Sequence, residues 1–371
     1  MNSKTVHIIT FDTPFPPDYG GNQDVFYRLK ALKEAQVQII LHIFASNSKK
    51  SEELTKICAE IYYYEKKKYK NLIFGKMPYR TALRSDKHLL KRLTQDDFPL
   101  FFEGLHCAYY ANFPELAHRK KFLRAHNIEH EYMRHLAKGE KNLLKKLYYL
   151  YEYQRFKWQE NHLNFSVFVF AITENNQTYF HKKGFQAEYL PVFHPNKTVT
   201  NNSKSGKYIL IHGNMSVPEN YRAVNYFLTK IYSKIDFPLK IAGKNPPKWL
   251  KNKISKLPEI DLVENCTEEK MRLLVSEAQI LFLYTEQTTG IKLKLINSLF
   301  QGKHVIANEK MTENTDLETL CHWFHTAEEA IQLIEKLKNT PFTQEEIEKR
   351  KKLLYKEFSN SENVKKIVKK L

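Results

Sequence analysis

A chain of 371 residues that is 42% hydrophobic and 27% charged carries enough apolar material to exclude a disordered protein, and its length points to two domains of roughly 150–200 residues. No run of about 18 uncharged apolar residues occurs and Met1–Thr5 lead directly into a strand pattern, so a spanning helix and a signal peptide are not expected and the protein reads as cytoplasmic. Cys58, Cys107, Cys266 and Cys321 show no paired C-x-x-C spacing, which argues against a metal knuckle or disulfide framework and for reduced, mostly buried thiols.

"TVHIITF" (5–11) is a short β-branched run that ends in a Pro-rich loop. "GNQDVFYRLKALKEA" (21–35) then places Val25, Leu29 and Leu32 at helical spacing, and "VQIILHIFA" (37–45) is strand-like again. This βαβ unit implies a parallel α/β architecture. The formal charge of +18 concentrates in two places: residues 66–92 hold ten Lys or Arg against one Asp, and residues 349–371 hold nine against two Glu. Bases interleaved with Tyr, Leu, Phe and Ile suit an anionic membrane surface or a polyanionic ligand, while a solvated helix face is the plainer reading of the second run. Nothing in the aromatic pattern resembles an RNA- or DNA-binding motif, so nucleic acid is not an expected partner.

Further strands are expected at 122–126, 167–173 and 187–193, with a long helical stretch over 139–163, aromatic on one side and basic on the other. Residues 194–207, "HPNKTVTNNSKSGK", are polar and turn-rich and read as a linker. The pattern then restarts: strand 208–213, helix 220–232, strand 238–244, an apolar–acidic segment 259–265, helix 267–278, strand 279–285, helix 291–302 and strand 304–308. The fold class expected is therefore α/β, two Rossmann-like doubly wound domains facing each other across a cleft, the first over 1–195 and the second over 207–354.

Gly20 and Gly21 sit between the first strand and the first helix in a chain with only 11 glycines. In an open parallel sheet that position lets backbone N–H groups approach a phosphate or sugar, although a tight turn after "PPDY" would also use glycine. The spacing is not G-x-G-x-x-G, and no acidic residue ends a second strand about 20 residues on, so a dinucleotide fingerprint is absent.

Four segments, taken in order, resemble the GT-B glycosyltransferases, specifically the large retaining family 4 group. They are "PFPPDYGGNQDVFYRLKAL", "RAHNIEHEYMRHLAKGEKNLLKKLYYLYEYQRFKWQE" (124–160), "GNMSVPENYRAVNYF" (213–227) and "TTGIKLKLINSLFQGKHVIAN" (288–308). The resemblance covers almost the whole chain. It implies a nucleotide-sugar donor, a hexosyl transfer to a glycan, lipid-linked or other surface acceptor in polysaccharide biosynthesis, no cofactor, and peripheral association with the inner membrane face. It also implies that the last helix, about 355–371, returns to the N-terminal domain. In the roles it assigns, Gly20 and Gly21 face the donor diphosphate, His126 lies near the transferred sugar, and Lys244 and Lys292 contact the phosphates without a metal, in keeping with the missing D-x-D motif. A structural histidine is the alternative at His126; Glu174 is either a second catalytic group or a helix cap. Thr289 and Asn297 stand where the family usually has an acidic pair, Gly290 belongs to the same donor turn, and the departure leaves open a non-catalytic GT-B subunit that partners another transferase.

Overall fold

The computed structural model describes residues 4–45, 51–67, 75–200, 204–286, 293–313, 315 and 317–371. It divides into two compact units, one of Met1–His194 with Phe358–Leu371 and one of Pro195–Glu357.

The first unit is built on β1 (Thr5–Thr10), β2 (Gln38–Ala45), β3 (Glu60–Glu65), β4 (Leu100–Glu103), β5 (Lys121–Ala125), β6 (Phe168–Ala171) and β7 (Ala187–Tyr189), all parallel, in the order β3-β2-β1-β4-β5-β6-β7. Its central strands are buried on both faces, which is why they read as nearly unbroken apolar runs: Val6, Ile8, Ile9, Ile39, Leu41 and Ile43 are all inaccessible. The helices α1 (Gly20–Glu34), α2 (Glu52–Ile57), α3 (Tyr79–Ala82), α4 (Lys87–Leu93), α5 (Glu129–Gly139), α6 (Leu143–Asn161) and α7 (Glu174–Lys182) connect them. Val25, Leu29 and Leu32 of α1 point into the core as their spacing predicts.

Two strands of this unit escaped the sequence reading. β4 is four residues long, too short for a period to register, and β3 reads "EIYYYE", a polar-ended edge strand. The single helix expected over 139–163 is in fact the end of α5 followed by α6, because α5 stops at Gly139 with Glu140 extended and Asn142 caps α6, its Oδ1 accepting from Lys145 N at 3.1 Å. The last helix, α15 (Asn360–Lys370), packs Val364 and Ile367 into the same core as α1. Its approach is fixed by His194, whose Nε2 bonds the Phe358 carbonyl at 2.7 Å and whose carbonyl accepts from Asn360 Nδ2 at 2.7 Å.

Within the basic segment 66–92, residues 68–74 lie outside the described residues; those described are not uniformly solvated. Arg84 is buried and donates to the Phe11 carbonyl at 3.0 Å, and the Arg92 guanidinium lies 4.1 Å from the Tyr62 ring centroid. Two of the bases are thus structural, since their planar heads find a carbonyl and an aromatic face inside the unit.

The second unit repeats the plan with β8 (Ile209–Asn214), β9 (Leu239–Lys244), β10 (Ile260–Glu264), β11 (Ile280–Leu283), β12 (His304–Asn308) and β13 (His322–Phe324), parallel, in the order β10-β9-β8-β11-β12-β13. The helices are α8 (Pro218–Lys230), α9 (Lys248–Ile254), α10 (Glu268–Glu277), α11 (Leu293–Gln301), α12 (Glu309–Thr312), α13 (Ala327–Leu337) and α14 (Gln344–Phe358). From Pro195 on, the described part of the expected linker belongs to this unit: Thr200 N bonds the Phe300 carbonyl at 2.9 Å and Gly206 N bonds Gln279 Oε1 at 2.6 Å. These attachments use backbone groups, to which hydropathy is blind.

Both sheets reverse their strand order next to the first strand, between β1 and β4 and between β8 and β11. Connections leave such a point toward opposite faces, so a crevice opens there beyond the strand carboxyl ends.

Candidate functional site

At the β1/β4 switch point, α1 begins at Gly20 with Tyr19 as its N-cap. A Cβ on Gly21 would stand 3.1 Å from the Phe11 ring and 3.2 Å from the Tyr19 ring, so the first turn of α1 fits closely against the loop after β1. One turn on, Asp24 is turned inward, accepting from Arg28 at 2.8 Å, from Arg124 Nε at 3.0 Å and Nη2 at 3.1 Å, and from Phe193 N at 2.8 Å. Burial alone would raise this carboxyl, but Arg124, Arg28 and His126 outweigh it and hold it well below the usual carboxylate range. Glu103, at the end of β4, pairs with Arg28 and reaches His126 Nε2 at 3.3 Å, while His126 Nδ1 lies 3.8 Å from Asp24.

His126 is the solvent-side member of this cluster, with 13% of its side chain exposed against 1% or less for Asp24, Arg28, Glu103 and Arg124. Phe11 stands edge-on to it, ring centroids 6.0 Å apart. Two carboxylates facing two guanidiniums are neutralised already, so Asp24 and Glu103 with Arg28 and Arg124 act as an ion-pair framework that orients the His126 imidazole. Glu174 is not part of that framework. It is exposed at the first position of α7, where the cap is Thr173, whose Oγ1 accepts from Asn176 N at 3.1 Å.

At the β8/β11 switch point the strands end in polar groups. Gly213 and Gly243 are paired across β8 and β9, and a Cβ on Gly243 would fall 1.9 Å from the Gly213 carbonyl oxygen, so only glycine permits this approach. Asn214 and Lys244 follow them in register. Asn220, in the first turns of α8, donates to the Asn214 carbonyl at 2.8 Å and accepts from Lys294 of α11. Thr285, after β11, donates from Oγ1 to Glu219 at 2.5 Å, and its backbone is clasped by Asn308 at 3.0 and 2.8 Å. His212, half-buried, lies beside Ser298; desolvation first, and then Lys294, push its imidazole down to about 3, so it is neutral at pH 7.

Of the donor-side residues taken from the sequence, Lys244 is exposed at the end of β9, and Asn297 lies on α11 with its amide oxygen accepting from Asn196 Nδ2 at 2.7 Å. Thr289, Gly290 and Lys292 lie outside the described residues. The sequence reading missed Asn214, Glu219, Asn220, Thr285 and Lys294. The signal available was the i, i+3 pair Lys294/Asn297, which one face of a helix presents together.

No protein-family model matches the chain. An uncharacterized 44.6 kDa protein in the cps region of Klebsiella pneumoniae is 24% identical over 327 residues, which cover 83% of this chain and 84% of that one. Among solved structures, Anabaena HepE in complex with UDP and glucose superimposes with a TM-score of 0.65 at 10% identity, covering 99% of this chain and 98% of that chain. WaaG, a glycosyltransferase involved in lipopolysaccharide biosynthesis, gives 0.65 at 13% identity over 97% and 98% of the two chains. TarM of S. aureus, in a complex that includes UDP, gives 0.67 at 10% identity over 99% of each chain. The two parallel-sheet α/β domains of seven and six strands are thus those of the GT-B glycosyltransferase fold.

Proposed function

We propose that this protein is a glycosyltransferase that takes a hexose from a nucleotide-sugar, retains the anomeric configuration and needs no metal for the transfer. The observation that carries the proposal is the β8/β11 switch point. There Lys244, Lys294, Asn214, Asn220 and Thr285 collect at the carboxyl ends of a parallel sheet, beside the first turn of α8, whose N-cap Val217 makes no side-chain cap bond. A helix N-terminus and two ammonium groups suit a diphosphate, and the negative charge that grows on it as the glycosidic bond breaks strengthens each contact. Lys292, Thr289 and Gly290 would add to this set, and Asn297 would bond a ribose hydroxyl.

In the first unit, His126 would meet the transferred sugar, with Gly20 and Gly21 giving backbone N–H groups at the start of α1. Held by Glu103 and Asp24, the imidazole is oriented before any substrate arrives, which lowers the ordering cost in the transition state. Glu174, exposed beyond β6, is the further carboxylate on this end of the sheet.

The relative in a cps region and the likeness to WaaG favour polysaccharide biosynthesis as the setting, with a glycan or lipid-linked acceptor. No described helix is long and apolar enough to cross a membrane. A peripheral contact is supported by the start of α6, where Leu143, Leu144 and Leu147 are 68%, 78% and 54% exposed among the exposed Lys141, Lys145 and Lys146. Such a leucine patch ringed by lysines matches the acyl boundary and anionic headgroups of a bilayer.

Thermal-shift measurement against nucleoside diphosphates and their sugars tests the proposal, since a ligand that binds only the native state raises its melting temperature. Donor-dependent sugar release or transfer, unaffected by EDTA, is the expected companion result. The neutral Asn297 at the ribose position favours a second reading, a non-catalytic subunit of another transferase; binding of nucleotide with no transfer to any acceptor would establish it.

A further inference from the structure

At the amino ends of β12 and β13, the opposite end of the second sheet from the donor residues, His304 opens one strand and His322 the next. His304 is 1% exposed. Its Nε2 lies 3.0 Å from the Thr340 carbonyl, a contact that puts the proton on Nε2 and leaves the Nδ1 lone pair facing the other way. That lone pair meets His322 Nε2 at 3.3 Å and Glu346 Oε1 at 3.8 Å. Glu346 is held there by a capping box at the start of α14: its Oε2 accepts from Thr343 N at 2.8 Å and Oγ1 at 3.1 Å, while Thr343 Oγ1 accepts from Glu346 N at 3.2 Å.

From this geometry we infer a site for one divalent transition-metal ion of the zinc class, bound by His304 Nδ1, His322 Nε2 and Glu346 Oε1. Bonds of about 2.0–2.1 Å at the tetrahedral angle set ligand atoms about 3.3–3.4 Å apart, the spacing of the two imidazole nitrogens here. The carbonyl bond on the far nitrogen of His304 is the outer-shell contact that fixes a ligating imidazole. Glu346 supplies the negative charge, and its side chain, 35% exposed, leaves a route from solvent and a fourth position for water. The Arg350 guanidinium does not compete for the carboxylate: it is buried, donates to the carbonyls of Leu299, Gly302 and Lys303, and lies over the Phe342 ring at 4.4 Å. The ion would tie β12, β13 and α14 together away from the transfer chemistry, so it is assigned a stabilising and not a catalytic role.

The test uses the full-length protein stripped with chelator and titrated with zinc alone. One ion per chain, a rise in melting temperature, and X-ray absorption showing two imidazoles and no sulfur on the zinc are expected. His322→Ala and Glu346→Gln, the second of which keeps the cap bonds, should each abolish the melting shift while chelator leaves nucleotide binding unchanged. Absence of saturable zinc binding, a shift that persists in either variant, or a thiolate-bound ion in the wild type would overturn the inference, and the wild-type spectrum decides even if a variant fails to fold.

Discussion

Arg124 grips Asp24 with two nitrogens, Nε to Oδ2 at 3.0 Å and Nη2 to Oδ1 at 3.1 Å, and thereby fastens the first turns of α1 to β5. Because His126 follows Arg124 by two residues and faces the same carboxylate, this pair also sets where the imidazole sits. Asp24→Asn strands two buried guanidiniums with one countercharge, Glu103, and should cost roughly 3–5 kcal/mol of stability. Urea unfolding checks it; a loss under about 1 kcal/mol would show that the cluster relaxes through water instead.

His126→Ala should leave nucleoside diphosphate affinity unchanged and lower turnover by at least about tenfold, since the contact it removes strengthens in the transition state. Equal kcat in wild type and variant would return His126 to a structural role.

Lys244→Ala and Lys294→Ala should each weaken nucleoside diphosphate binding by about tenfold, the worth of one charge-assisted contact. Calorimetric titration reads this directly. Asn297→Glu can still accept from Asn196 and should tighten binding through a charged bond to the ribose; weaker binding would place the ribose elsewhere.

Acid should destabilise the protein well before its carboxylates titrate. Burial lowers the imidazoles of His7, His42 and His106, and takes His194 to about 4, from an ordinary value of 6.5. The unfolded chain therefore binds more protons below pH 6.5. The stability these residues contribute is complete above that pH and is lost progressively between 6.5 and about 4. Urea midpoints should fall from pH 7.5 to 6 to 5, the last step the steepest; a flat profile would contradict the burial of these rings.

Leu144→Glu with Leu147→Glu should reduce flotation with anionic vesicles by at least about fivefold, because both apolar insertion and local positive charge are lost. Thermal stability should stay as in the wild type, since both side chains are exposed. Binding that survives the double change would move the contact to another surface.

The sequence by itself determined the two-domain parallel α/β plan, because strands buried on both faces must be written as apolar runs such as "VQIILHIFA", and Pro/Gly-rich breaks mark where they end. It also located the start of α1 at Gly20 and Gly21 and the histidine that follows β5, since both sit at fixed places in a βα unit. Only the tertiary structure decided the partners. Asp24 meets Arg124 across 100 residues, Lys294 meets Asn220 across 74 and Thr285 meets Glu219 across 66, pairings set by strand order and not by spacing along the chain. For the same reason Glu174 read as a possible cap but leaves that role to Thr173, and Arg84, one base in a run of ten, proved to be buried: periodicity records which face a residue takes, whereas its neighbours depend on which strand lies beside its own.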